Sequence, residues 1–179
     1  MTKIKLQNVR LSFPHIYSKE PAFKKTWETM TEEEKQRAKY TATFLLSKKD
    51  VKTKKLIDNA LEELRAKAKY KKLPKGDFLC VKDGDDVDYD GYQDHWSIKA
   101  GNRKKPITID RDRSSLTIED DKFYPGCYVN AIIDFYPYNF KGEAINANLY
   151  GIQFLNHGES FEMSKVASFE DFDDLEDEL

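Results

Sequence analysis

Apolar and polar residues alternate with a period of two over most of this chain, and in one place the period lengthens to between three and four. Residues 3–13 (KIKLQNVRLSF) read as a first strand that stops at Pro14. The apolar parity shifts from Ile4 and Leu6 to Val9, Leu11 and Phe13, which predicts a bulge. Residues 14–39 are irregular, except that Thr31 with Glu34 three residues on forms a capping-box signature for a short helix over 31–39. Tyr40–Leu46 reads as a strand. Residues 50–72 are the one long helix, with Val51, Ile57, Ala60, Leu61, Leu64 and Ala68 at three- and four-residue spacings and Pro74 and Gly76 ending it.

Short strands are expected at 78–82, 95–100 and 107–109, and longer ones at 126–138 and 147–155. In the first long strand Val129, Ala131, Ile133 and Phe135 share the face expected in the core, and Tyr128, Asn130, Ile132, Asp134, Tyr136 and Tyr138 share the other. In the second, Tyr150, Ile152 and Phe154 have one parity and Leu149 and Leu155 the other, so the inner face is undecided. Six or seven strands, one long helix and no βαβ alternation predict a mainly β fold: a small antiparallel barrel or sandwich with an inserted helix. The OB barrel has this arrangement, although strand count alone does not separate it from other small β folds.

Charge changes the picture at the C-terminus. The last ten residues, Glu170-Asp171-Phe172-Asp173-Asp174-Leu175-Glu176-Asp177-Glu178-Leu179, hold seven acids and no base. Residues 1–169 then carry 30 cations against 25 anions, or +5, although the whole chain is −2. Phe169, Phe172, Leu175 and Leu179 are interleaved with the acids, which makes this more than a solubilising run. The expected organisation is a body over 1–163 and a disordered acidic tail over 164–179.

The segment 99–113 gathers Lys99, Arg103, Lys104, Lys105, Arg111 and Arg113 against Asp110 and Asp112, beside Trp96 and Tyr92. Cations that neutralise phosphates, interleaved with rings that stack on unpaired bases, suit single-stranded nucleic acid. An ordinary hairpin with a basic turn would read the same way. Tyr136 and Tyr138 likewise suit either stacking or packing. At the long helix, Lys67, Lys69, Lys71 and Lys72 complement the helix dipole, while Lys48, Lys49, Lys52, Lys54 and Lys55 at its start oppose it and either extend a DNA-facing surface or are simply solvated.

Other chemistries find little support. Asp86-Val-Asp88-Tyr-Asp90-Gly91 starts like a calcium loop, but Ser97 stands where the bidentate Glu is needed and the flanks read as strands, so no metal is assigned. His15, His95 and His157 lie in no metal spacing, and GxSxG, P-loop and GxGxxG patterns are missing. The expectation is a protein without catalytic residues or cofactors. Cys80 and Cys127 form no CxxC. There is no signal-peptide pattern and no run near the ~18 apolar residues of a membrane span, so a cytoplasmic location is expected.

LSFP (11–14), Gly91-Tyr92 with Ile98-Lys99-Ala100, the basic turn with Pro106 and Asp110-Arg111-Asp112, FYPGCYVNA (123–131), ANLYGIQFLNHGESF (147–161) and the acidic tail together resemble the phage-encoded single-stranded-DNA-binding proteins with an OB fold. The resemblance implies a non-enzymatic accessory of DNA replication, recombination and repair. Its body would bind single-stranded DNA without sequence preference through Trp96, Lys99, Arg103, Lys104, Lys105, Arg111, Arg113, Tyr136 and Tyr138. Its tail (Phe169 to Leu179) would recruit DNA polymerase and other replisome proteins and compete with DNA for the basic groove. Some members are dimers, so a homodimer is among the options. Some tailed relatives end in an aromatic residue, where this chain has Leu179. Two rivals stand beside this reading: an inhibitor working through an acidic DNA-mimic tail, against which the +5 body argues, and a metal-dependent nuclease using the 83–94 aspartates.

Overall fold

The computed structural model describes residues 3–67, 72–139, 142–161 and 172–175. It contains seven strands: β1 (Ile4–His15), β2 (Tyr40–Ser47), β3 (Val81–Asp83), β4 (His95–Asn102), β5 (Ile107–Ile109), β6 (Tyr128–Asn139) and β7 (Glu143–Asn156). They form one sheet in the order β3-β4-β2-β1-β6-β7-β5. A parallel pairing of Ala100 with Ala147 and Gly101 with Asn148 joins β4 to β7 and closes five of the strands into a barrel. Round the barrel, β1 meets β2, β2 meets β4, β4 meets β7, β7 meets β6 and β6 returns to β1. This five-stranded Greek-key barrel is the OB arrangement, with β3 and β5 as extensions.

The bulge expected in β1 lies between Leu6 and Val9, at Asn8 with φ 54°, and lets both apolar parities enter the core. β1 runs past Pro14 to His15, further than its proline suggested. A second irregularity between Ser12 and His15 accommodates a residue without an N–H. On β6, Val129, Ala131, Ile133 and Phe135 are all buried. β7 explains its own ambiguity. Leu149 is buried, and so are Ile152 and Phe154 of the opposite parity, because the register with β6 slips between Gly151 and Leu149.

Helix α1 (Glu32–Arg37) has both arms of its capping box, Glu34 N–H to Thr31 Oγ1 at 3.1 Å and Thr31 N–H to Glu34 Oε1 at 3.2 Å. Helix α2 (Val51–Lys67) starts at Asp50, whose carboxylate accepts from the Thr53 amide and hydroxyl. Ile57 and Leu61 seal it against β1 and β6, and Ala60 and Leu64 pack beside them. The expected last turn over 68–71 lies outside the described residues. The strand expected at 78–82 begins later, because Phe78 and Leu79 bond back to Lys75 and Gly76 in a 3-10 turn. No helix among the described residues is long and apolar enough to cross a membrane.

Candidate nucleic-acid interface

The alternation in β2 and β4 builds a floor. Ala42, Phe44, Leu46, Ile98 and Ala100 point into the barrel. Thr41, Thr43, Ser97, Lys99 and Gly101 are therefore left on the outer face, with Thr43 opposite Lys99 and Thr41 opposite Gly101. These side chains are mostly small, so the face is recessed. At Gly101 a Cβ would already lie 3.0 Å from the Thr41 methyl.

Walls rise on both sides. The long β1–β2 connection contributes Glu20, Pro21, Phe23, Arg37 and Lys39, the approach to β3 contributes Pro74, Lys75 and Asp77, and β3 itself contributes Lys82. The result is an open groove of about 1180 Å³. That exceeds the roughly 300–1,000 Å³ of pockets for compact small ligands and suits an extended one. OB folds take oligonucleotides on the face of their second and third strands and on the loops flanking it. Here those barrel strands are β2 and β4.

Among the described residues five rings border the groove: Phe13, Phe23, Tyr89, Tyr92 and Tyr136. Phe23 is 88 % exposed, which no packing role explains. Phe13, at φ 45°, sits in the second β1 irregularity, which a bulky residue adopts only at a cost. The Tyr89 ring meets Phe13 edge-on at 5.3 Å and Tyr92 at 5.2 Å. Tyr92 is anchored by Ser12, whose hydroxyl lies 2.9 Å from the Tyr92 oxygen. Burial pushes the Tyr92 phenol up, against the opposing Ser12 hydrogen bond.

Among the described residues the charges are nearly balanced: Arg37, Lys39, Lys75, Lys82 and Lys99 face Glu20, Asp77, Asp83 and Asp86. Lys39 Nζ donates to the Tyr136 hydroxyl at 2.8 Å, and Lys82 Nζ to Asp77 at 3.0 Å. Lys99 pairs with Glu20 at 3.1 Å.

Of the residues singled out from the sequence, Lys99 and Tyr136 line this groove. Trp96 has the inward parity of Ile98 and packs against the core, with Lys48 and Lys54 over its ring at 4.7 and 4.4 Å. Arg103, Lys104 and Lys105 are exposed on the β4–β5 turn, Lys105 lying over the Tyr17 ring at 4.8 Å. Arg111 is tied to the end of β7, donating to Leu155 O at 2.9 Å and Asn156 Oδ1 at 2.7 Å. Arg113 is exposed at φ 69° in the turn after β5. Tyr138 is 43 % exposed near the end of β6. The basic segment thus splits between the groove floor and two turns that do not line it.

The aspartate loop is held by a lysine. Lys48 Nζ reaches Asp83 Oδ1 and Asp85 Oδ2, each at 2.6 Å, and the Asp83 and Asp85 hydrogen bonds hold that ammonium above the usual lysine range. Among the described residues no group of three or more His, Cys, Asp or Glu could hold a metal ion.

Beyond β7 the chain folds back. Arg10 lies over the Phe161 ring at 4.3 Å and donates to Glu159 O at 2.7 Å. Phe161 packs with Tyr92 and Leu45, on a spot kept open by Gly91, where a Cβ would lie 2.3 Å from its ring. The chain therefore reaches Phe161 behind the aromatic wall of the groove. Phe172, Asp173, Asp174 and Leu175 are exposed. Phe169, Glu170, Asp171 and Glu176 to Leu179 lie outside the described residues.

Sequence reasoning missed Phe13, Phe23, Lys39, Lys82 and Tyr89. LSFP marked Phe13, and nothing local marks the others.

A family model described as Enterobacter phage Enc34, ssDNA-binding protein, matches residues 2–179. A protein of Acyrthosiphon pisum secondary endosymbiont phage 1, named putative protein p50, is 37 % identical over 190 residues, covering 97 % of this chain and 94 % of its own. The single-stranded DNA-binding protein of bacteriophage Enc34, solved in complex with ssDNA, has TM-score 0.71 and 29 % identity over 88 % of each chain. A second structure of that protein gives 0.72 and 29 % over 96 % of this chain and 90 % of the other. At 12 % identity, gp2.5, a single-stranded DNA binding protein encoded by bacteriophage T7, shares the fold, with TM-score 0.58 over 94 % of this chain and 98 % of its own.

Proposed function

This chain belongs to the family of the Enterobacter phage Enc34 ssDNA-binding protein, and from that premise we propose that it binds single-stranded DNA, without sequence preference, in the groove on the outer face of β2 and β4. The observation that carries the reading is the coincidence of exposed rings and lysines on this OB face. Phe13, Phe23, Tyr89 and Tyr136 offer π-faces that every base can stack on, and Lys39, Lys82 and Lys99 offer donors to phosphates between them. Neither contact reads base identity. Arg103, Lys104, Lys105, Arg111 and Arg113 extend the track for a longer strand over the β4–β5 side.

In this reading the protein is a non-enzymatic accessory of phage DNA replication, recombination and repair, acting in the host cytoplasm. Residues 1–163 form the binding body, either alone or as a homodimer, and 164–179 the tail. The tail recruits DNA polymerase and other replisome proteins, which take hold of both its acids and its interleaved Phe172, Leu175 and Leu179. It also competes with DNA for the groove. What supports the competition is the path of the chain to Phe161 behind the groove's aromatic wall.

The test is fluorescence anisotropy on a labelled oligo-dT. At low salt the full chain gives saturable binding that weakens as salt rises; no binding under those conditions overturns the proposal. In the same assay, deleting residues 170–179 tightens binding, and equal or weaker binding by the truncated chain sinks the competition.

A further inference from the structure

Lys99 stands on the floor of the groove, and it is already engaged. The connection from β1 to α1 is tied down by a bond from the Glu20 amide to Lys39 O at 2.9 Å. This lays the Glu20 carboxylate across the floor. Thr41 Oγ1 donates to its Oε2 at 2.6 Å, and Lys99 Nζ donates to its Oε1 at 3.3 Å and lies 3.1 Å from Oε2. An anion held by one hydroxyl and one ammonium on a nucleic-acid face is arranged as a phosphate oxygen would be.

We propose that Glu20 is a built-in surrogate for a backbone phosphate, holding Lys99 in the DNA-free protein and surrendering it to the strand, and so setting the groove's affinity and salt dependence. The inference rests on the groove being the DNA site.

The charges around Glu20 make the exchange costly. Thr41 faces it from β2, Lys99 from β4 and His15 from the end of β1. Lys39, next along, is turned to the Tyr136 hydroxyl. Burial pushes the Glu20 carboxyl up, but the hydrogen bonds from Thr41 and Lys99 outweigh it and hold the group below the usual carboxylate range, so it is ionised at neutral pH. A phosphate that takes Lys99 thus arrives beside a full negative charge. That charge must recruit a cation from solution, which cancels one of the counterions that the strand releases.

The variant Glu20→Gln keeps an acceptor oxygen for Thr41 and removes the charge. In oligo-dT titrations it binds about three- to tenfold more tightly than wild type at low salt, the scale of an exposed ion pair plus the relieved repulsion. Its plot of log affinity against log salt is steeper by about 0.7, one extra counterion on a single strand. A loop-anchoring role for Glu20 would change neither the slope nor the next comparison. Lys99→Gln weakens binding several-fold more in the Glu20→Gln background than in the wild-type background, where Glu20 already holds the ammonium. Equal or weaker binding by Glu20→Gln, an unchanged slope, or the same Lys99→Gln cost in both backgrounds overturns the proposal while wild type still binds. If neither wild type nor Glu20→Gln binds oligo-dT, the groove reading falls and this inference with it.

Discussion

The double variant Phe23→Ala/Tyr89→Ala binds oligo-dT at least about thirtyfold more weakly than wild type and melts at nearly the same temperature. Base–aromatic stacking contributes roughly 1–3 kcal/mol per base when a ring is truncated to alanine, so two platforms together amount to about 2–6 kcal/mol. Neither ring holds the fold together. Phe23 is 88 % exposed and Tyr89 50 % exposed, and Tyr89 meets Phe13 and the buried Tyr92 only edge-on. Each single variant costs about fivefold or more. Titration and thermal melting of the three variants check this. A loss of affinity below about threefold in the double variant would show that the rings are bystanders.

The second large effect is on stability. Phe44 lies directly beneath the groove floor, fully buried and paired across the strands with Ile98. Phe44→Ala removes about 3–5 kcal/mol, the usual result of hollowing a well-packed core at an aromatic. Against the 5–15 kcal/mol by which domains of this kind are stable, that is a large fraction. Urea unfolding followed by tryptophan fluorescence measures it. Because a ligand that binds only the folded state adds stability by mass action, saturating oligo-dT raises the urea midpoint of this variant. A cost under about 1 kcal/mol would mean that the barrel is not packed as described.

The fold was largely legible because its determinants are local. The capping box at Thr31 and Glu34 needs only four residues, and the spacing of Ile57, Leu61 and Leu64 defines the helix that caps the barrel. The parity change between Leu6 and Val9 pointed to a bulge because apolar residues on both sides of it demanded one. The same argument was open for β7, where Leu149 and Ile152 are both inside. There it was missed, since a register slip between two strands appears only when they are paired. The site was legible in kind and only partly in place. Lys99 and Tyr136 stood out as a cation and a ring on strands, and they line the groove. Trp96 had the right chemistry, but strand parity turns it inward beneath Lys48 and Lys54. Phe23 and Tyr89 come from an irregular connection and from a loop dominated by aspartates. Only the closed barrel brings those loops to the edge of β2 and β4. Net charge also misled in detail, since the +5 of residues 1–169 is not concentrated in the groove, where lysines and carboxylates nearly balance.

The most direct test is photochemical. An oligo-dT carrying 5-iodo-deoxyuridine at successive positions is bound to the full chain, irradiated and digested, and the cross-linked peptides are identified by mass spectrometry. Adducts are expected at Phe13, Phe23, Tyr89 and Tyr136, on the groove's rim. Adducts confined to α2 and to the turns holding Arg103 to Lys105 and Arg111 to Arg113, with the rim rings unmodified, would contradict DNA binding in the groove.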